Sequence, residues 1–189
     1  MTEPGDSPRA DRAGLGRLLS LVAADLPGHR VEVAEPGGAR FVPVGGGPVV
    51  VVGTRVEKRL LGRTEIAVFR SHFSDPSGVP AELEVRHTGH RTRTGIEIRK
   101  RGGYGDYLAS ILADDQGLAD AALPLDFKRF DLISDGETLT ATVELMGASY
   151  VSIAFPPMRS YIRLYPDQRE ALVATFGELE RVASQLEKG

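Results

Sequence analysis

The sequence predicts a single α+β domain built on a mainly antiparallel sheet, with its strands in two blocks. Segments of alternating apolar and polar residues run from about residue 31 to 100, and again from about 127 to 164. Apolar residues recur at helical spacing before, between and after these blocks, which indicates three principal helices. Most predicted strand pairs are joined by connections too short for a parallel crossover, so we expect antiparallel pairing.

The first 11 residues are rich in proline, glycine and polar residues, and we expect them to form a disordered tail. Residues 12–189 then form the domain. Its first helix is predicted near residues 13–26 and ends at Pro27-Gly28. The apolar face of this helix consists of Leu15, Leu18, Leu19, Val22 and Leu26.

The first block of strands follows this helix. Two short strands flank the turn Glu35-Pro36-Gly37-Gly38, and a β-branched run fits a central strand. Two later segments alternate apolar residues with charges of opposite sign, which is typical of paired hairpin arms. The strands are predicted at residues 31–34, 40–44, 49–52 and 64–73, and the two arms at residues 82–86 and 96–99.

A middle helix is predicted near residues 104–121, because Tyr104, Tyr107, Leu108, Ile111 and Leu112 recur at helical spacing. It is followed by the second block of strands. Asp135-Gly136 between two alternating segments is the strongest hairpin signal of the chain. In the second arm of that hairpin one face holds Leu139, Ala141, Val143 and Leu145, and the other holds Thr138, Thr140, Thr142 and Glu144. A further strand is expected at residues 150–155.

The final helix is predicted at residues 166–187, with Pro166 in its first turn and Asp167 near the positive end of its dipole. We expect its apolar stripe to pack on the sheet face that includes Leu139, Val143 and Leu145. The stripe consists of Leu172, Phe176, Leu179, Val182 and Leu186.

Composition excludes several classes of protein. The 189 residues are 41% hydrophobic and 26% charged, as in ordinary globular domains, and the formal net charge is −3. This charge does not favour nucleic acid as a partner of the whole protein. The absence of cysteine excludes disulfides and thiolate metal sites. No apolar run is long enough to span a bilayer, so we expect a cytoplasmic protein without a membrane partner.

The least generic segment is an alternation of arginine and tyrosine directly before the final helix. Arg159, Tyr161, Arg163 and Tyr165 are each two residues apart, so on an extended strand they share one face. Arginine and tyrosine are favoured at binding surfaces, and this pattern predicts a site for a carboxylate ligand or a protein partner. The alternative is an edge strand whose tyrosines cover the final helix.

A second predicted site is the basic hairpin at residues 86–101. Its cations would bind phosphates or an acidic partner, although it lacks the aromatic residues that stack on single-stranded bases. The alternative is a solvated hairpin tip that pairs with Glu82 and Glu84. The arginines assigned to this anion site are Arg86, Arg91, Arg93, Arg99 and Arg101.

Motifs for catalysis, metals and cofactors are not evident. His87 and His90 are three residues apart, but no further ligands accompany them to complete a zinc site. The run at residues 45–47 precedes a strand rather than a helix, so it does not form a phosphate cradle. The sequence therefore predicts no catalytic residues, no metal site and no cofactor.

Two resemblances add to these patterns. The segment from Pro156 to Ile162, with Leu164 and Gln168-Arg169 after it, resembles the C-terminal region of a bacterial family of unknown function. That family implies no activity for this chain. The order of helices and strands also resembles type III secretion chaperones, a resemblance that implies binding of extended protein segments.

Taken together, these observations predict a non-catalytic binding module for a protein segment or an anionic ligand. Two alternatives remain open at this stage. One is an enzyme acting on an anionic small molecule, with Arg159 or Arg163 holding the substrate and Tyr161 as an acid. The other is nucleic-acid binding through the basic hairpin. For the predicted binding module, the partner would be another protein or a second copy of the chain.

Overall fold

The structure is a computed structural model and describes residues 15–34, 37–89, 94–103 and 105–187. Within these residues the chain forms four helices and nine strands. The predicted tail at residues 1–11 lies outside them. The helices are α1 (Arg17–Asp25), α2 (Asp106–Asp114), α3 (Gln116–Ala122) and α4 (Pro166–Leu186). The strands are β1 (His29–Ala34), β2 (Gly38–Pro43), β3 (Val50–Arg59), β4 (Gly62–Ser74), β5 (Ala81–Thr88), β6 (Gly95–Gly103), β7 (Phe127–Ser134), β8 (Thr138–Ile153) and β9 (Met158–Ile162).

All nine strands belong to one antiparallel sheet, which confirms the predicted α+β class. The strand order is β1-β2-β3-β4-β8-β7-β5-β6, and β9 pairs with β8. The second block of strands is therefore inserted between β4 and β5 of the first. The predicted hairpin between β7 and β8 turns at Gly136, whose φ of 95° suits glycine, and the Asp135 carboxylate accepts the amides of Glu137 and Thr138.

The hydrophobic core lies between the helices and one face of the sheet. One row of paired residues crosses five strands on this face, and every member is buried. Because residues directly opposite each other share a face, the row fixes which side the helices cover. The row is Ala39, Val52, Phe69, Val143 and Phe130.

The middle helical region differs from the prediction of one helix at residues 104–121. It forms two helices, α2 and α3, that are separated at Asp115. The Asp115 carboxylate accepts the backbone amide of Leu118 at 2.8 Å and so caps the N-terminus of α3. It also binds Arg181 of α4 through both oxygens, at 2.7 and 2.6 Å. This cap and this ion pair favour a new helix start over a continuous helix.

The strands predicted at residues 138–145 and 150–155 form one strand, β8, with an irregularity between its halves. The register passes from Val68 opposite Glu144 to Ile66 opposite Ser149. The extra residues include Ala148 with a φ of 52° and Gly147, where a Cβ would lie 2.9 Å from the carbonyl oxygen of Arg163. Such a bulge bends the strand, and β8 pairs with β7 before it and with β9 after it.

The final helix is the element that the sequence predicts best. The stripe residues Leu172, Phe176, Leu179 and Val182 are buried in the same core cluster as Leu139, Val143 and Leu145. Among the described residues, no helix combines the length and the hydropathy needed to cross a bilayer.

Candidate functional site

The four residues of the predicted arginine–tyrosine site are not brought together as one surface. Tyr161 and Arg163 contact Asp25 at the end of α1, where the Tyr161 hydroxyl donates to Asp25 Oδ2 at 2.7 Å. The Arg163 guanidinium lies 3.4 Å from Asp25 Oδ1. Arg159 is exposed at the far end of β9, and Tyr165 is exposed directly before α4.

Asp25 is the centre of a structural cluster. Asp25 is only 2% exposed, and its carboxylate lies at the C-terminal end of α1, the negative end of the helix dipole. The backbone amide of Leu164 donates to Asp25 Oδ2 at 3.0 Å, and Arg169 donates to the Asp25 carbonyl at 2.7 Å. These donors offset the unfavourable position of the charge and tie α1 to the connection between β9 and α4.

The Tyr161 phenol is held in its protonated form. Burial raises the pKa of Tyr161 above its ordinary value, and the hydrogen bond to the Asp25 carboxylate raises this pKa further. A phenol that donates to a buried carboxylate serves the fold, because losing its proton would place two negative charges in contact.

The described cations of the basic hairpin are paired with carboxylates. Arg86 and Arg101 both contact Glu84, at 2.7 and 2.6 Å, and Arg99 contacts Glu97 at 2.9 Å. The hydrogen bond from Arg86 holds the pKa of Glu84 below its ordinary value, and Arg101 lowers it further. Arg91 and Arg93 of the same predicted site lie outside the described residues.

A different polar site lies on the sheet face opposite the helices, which we term the open face. One register row, adjacent to the buried core row, crosses seven strands there. Its members are polar or charged except for one valine. The row is Arg40, Val51, Arg70, Thr142, Asp131, Glu84 and Arg99.

Two buried carboxylates anchor the open face. Glu144 is 2% exposed and binds Arg55 through both oxygens, with Nε–Oε1 at 3.0 Å and Nη2–Oε2 at 2.5 Å. Asp131 is 3% exposed, accepts from Arg129 and lies 3.6 Å from Arg101. Paired guanidinium groups of this kind offset much of the desolvation of a buried carboxylate.

These side chains line a cavity of about 670 Å³ between the middle strands. Its walls carry three arginines, Arg55, Arg70 and Arg129, against the two carboxylates, so one arginine is in excess. Arg70 is that arginine. It is exposed and, among the described residues, makes no ion pair or side-chain hydrogen bond. The Thr140 and Thr142 hydroxyl-bearing side chains line the same cavity.

Sequence reasoning missed most of this site. It assigned Thr140, Thr142 and Glu144 to the polar face of one hairpin arm, but it did not connect them with Arg70 or Asp131. The local signal was a charged residue directly after a large apolar one, as in Phe130-Asp131 and Phe69-Arg70. Only the strand order, with β8 and β7 inserted beside β4, brings these residues into one row.

A second hollow of about 530 Å³ lies between the end of α1 and the start of α4. Most of its lining residues are apolar. Its lining includes Leu26, Pro27, His29, Pro166, Arg169 and Val173. Within the part of the chain that is described, His, Asp and Glu side chains nowhere form a group that could hold a metal ion.

Comparison with known proteins gives a family but no activity. Neither the curated proteins nor the solved structures contain a match to this chain. The topological resemblance to type III secretion chaperones therefore stays a prediction. A family described as "Protein of unknown function (DUF3156)" matches residues 24–183. The resemblance found over the last third of the sequence thus extends over most of it, and the chain belongs to the DUF3156 family.

Proposed function

We propose that the protein is a non-catalytic binding module that takes a small organic anion on the open face of its sheet. One observation carries this proposal. Arg70 lies at the wall of a cavity of about 670 Å³ and has no ion-pair partner among the described residues. The neighbouring arginines Arg55 and Arg129 are already held by Glu144 and Asp131. Arg70 is therefore the cation that remains for a ligand.

The chemistry of the wall defines the ligand class. A guanidinium group binds carboxylates and phosphates through two parallel hydrogen bonds. Thr140 and Thr142 add hydroxyl groups that donate to, or accept from, hydroxyls of a ligand. The cavity volume falls in the range of small-molecule sites, roughly 300–1,000 Å³. A hydroxylated carboxylate or a small phosphate compound meets these conditions.

The enzyme alternative receives less support from the geometry. It needs Tyr161 as an acid and Arg159 or Arg163 as a substrate clamp, yet Tyr161 and Arg163 contact Asp25. The raised pKa of Tyr161 also works against proton transfer near neutral pH. The other possible clamp, Arg159, is exposed near the start of β9.

Nucleic-acid binding through the basic hairpin is also less favoured. Counterion release requires cations that are free to contact phosphates. Arg86, Arg99 and Arg101 each contact a carboxylate instead. A mobility-shift titration at low salt tests this alternative, because a shift that weakens steeply with salt would revive it.

A protein segment remains the alternative occupant for a binding module. Among the described strands, β1 and β6 each have a neighbour on one side only, so each offers a main-chain edge for strand addition. The proposal keeps the bacterial cytoplasm as the location expected from the sequence.

Isothermal titration calorimetry with citrate and with inorganic phosphate, at constant ionic strength, tests the proposed site. We expect binding that Arg70→Ala weakens at least about tenfold, because a charge-assisted hydrogen bond contributes about 1.5–3 kcal/mol. Arg30→Ala is the matched control, since it removes an exposed strand arginine that is not among the residues lining this cavity. Equal binding by Arg70→Ala and the wild type, or no heat with either anion, would overturn the proposal.

A further inference from the structure

Two turns that are far apart in sequence meet at one end of the sheet. One is the β3–β4 turn at residues 60–61, and the other is the β8–β9 connection at residues 154–157. The amide of Ala154 donates to the carbonyl of Leu61 at 2.8 Å, and Gly62 pairs with Ile153 in the register. We define the tip as residues 58–63 together with residues 154–159.

The tip exposes large apolar side chains that the fold does not bury. Leu60 is 99% exposed and Phe155 is 78% exposed, and Leu61 and Met158 are each about half exposed. Leu61 and Phe155 border the same hollow, of about 310 Å³. Exposed apolar groups that cluster in this way mark interaction surfaces.

Cations surround these apolar side chains. Lys58, Arg59, Arg63 and Arg159 border one hollow of about 400 Å³, and no carboxylate is among its lining residues. Arg63 contacts Glu65 at 2.7 Å and Arg59 lies 4.0 Å from Glu57. Among the described residues, Lys58 and Arg159 make no ion pair. The tip therefore combines protruding apolar groups with a hollow lined by positive charge.

We propose that the tip binds the surface of an anionic phospholipid bilayer. Leu60, Leu61 and Phe155 enter the region between headgroups and acyl chains, and the cations of the hollow contact lipid phosphates. Protruding apolar residues beside lysine and arginine suit an interface that is apolar below and negatively charged above.

The features of the tip favour a bilayer over a second copy of the chain. The apolar side chains project from turns instead of forming a flat patch, and two copies would bring like charges together. The expectation of no membrane partner rested on the absence of an apolar run that could span a bilayer. It did not consider attachment to the surface, because the tip residues come from two distant segments.

Co-sedimentation with vesicles tests this proposal on the full chain. We expect binding to vesicles of phosphatidylcholine mixed with phosphatidylglycerol, and at least about tenfold weaker binding to vesicles of phosphatidylcholine alone. Leu60→Ser combined with Leu61→Ser, and Lys58→Glu combined with Arg159→Glu, should each reduce binding to the anionic vesicles about tenfold or more.

Matched controls separate the tip from general effects. Val44→Ser also removes an exposed apolar side chain, and Arg30→Glu also reverses an exposed arginine, and both should bind as the wild type does. Equal binding by the tip variants and the wild type would overturn the proposal. Absence of binding to anionic vesicles would also overturn it, as would displacement of the protein from the vesicles by soluble glycerol phosphate. A dimer of the wild type that Leu60→Ser abolishes would show that the tip binds a second copy instead.

Discussion

At the scale of single residues, buried carboxylates organise two polar clusters of the molecule. Asp25 gathers Tyr161, Arg163 and the amide of Leu164 into a cluster that joins the first helix to the last. Asp131 and Glu144 hold arginines on the open face. A buried carboxylate needs such donors, because removing its partner costs about 3–5 kcal/mol of stability. The open face differs from the Asp25 cluster in one respect. Beside its carboxylates lies Arg70, which makes no ion pair among the described residues.

The first prediction concerns the Asp25 cluster. Asp25→Ala should lower the free energy of unfolding by about 3 kcal/mol, because it leaves the Tyr161 hydroxyl and the Leu164 amide without their acceptor. Urea unfolding followed by circular dichroism measures this change.

The arginines of the predicted stripe provide the comparison for that measurement. Arg163 is 73% exposed on its side chain and Arg159 has no ion-pair partner among the described residues. Arg163→Ala and Arg159→Ala should each change stability by no more than about 0.5 kcal/mol. If Arg163→Ala unfolds as early as Asp25→Ala, the cluster depends on its arginine as much as on its carboxylate and the account of Asp25 is wrong. Arg159→Ala is the control outside the cluster.

Single residues also show why the arginine–tyrosine stripe was predicted as one surface. Spacing by two places residues on one face of a regular strand, and β9 is regular only as far as Ile162. Beyond it the chain turns toward α4, so Tyr165 does not continue the face. The acceptor for Tyr161 lies 136 positions away in sequence, and periodicity carries no information about such a partner.

At the scale of elements, the strongest sequence signals were those that a single segment contains. The Asp135-Gly136 turn and the apolar stripe of α4 are local patterns, and the structure has both. The break at Asp115 and the continuity of β8 depend on partners elsewhere. Asp115 binds Arg181 in α4, and β8 pairs with β4 on both sides of its bulge. Tertiary contacts of this kind override local propensity.

The second prediction concerns α4. Phe176 is buried in the core, so Phe176→Ala should lower the free energy of unfolding by about 3–5 kcal/mol. Val173→Ala in the same helix is the control, because Val173 is partly exposed and should change stability by less than about 1 kcal/mol. Thermal and urea unfolding distinguish the two. A silent Phe176→Ala would mean that α4 is a detachable helix whose stripe docks on another subunit.

At the scale of the whole molecule, the sheet has one face covered by helices and one face of ion pairs. An antiparallel sheet tolerates this asymmetry, because its polar face can remain in contact with water. The alternation of each strand predicted two faces, and the structure confirms them. The sequence could not show that the arginines and carboxylates of five separate strands share a row, because register and strand order are properties of the assembled sheet.

The third prediction is the pH dependence of stability. Hydrogen bonds from Lys128, Arg86 and Arg99 hold the pKa values of Glu57, Glu84 and Glu97 below their ordinary values. A carboxylate whose pKa is lower in the folded state stabilises the fold above its unfolded pKa, about 4.3 for glutamate, and loses this effect as the pH falls.

The melting temperature should therefore fall as the solution is acidified below about pH 4.3. Scanning calorimetry in buffers on both sides of that value measures the change, and added salt should reduce it by screening these exposed pairs. A melting temperature that stays constant down to about pH 3 would show that the pairs contribute nothing to stability.

The central claim is that an anion binds on the open face beside Arg70, and an NMR titration of the labelled full chain with citrate tests it most directly. The account predicts amide shift changes that cluster on β3, β4, β7 and β8 around Arg70 and Thr142, and that disappear in Arg70→Ala. Shift changes centred instead on Asp25 and the start of α4, or changes that persist unaltered in Arg70→Ala, would contradict it.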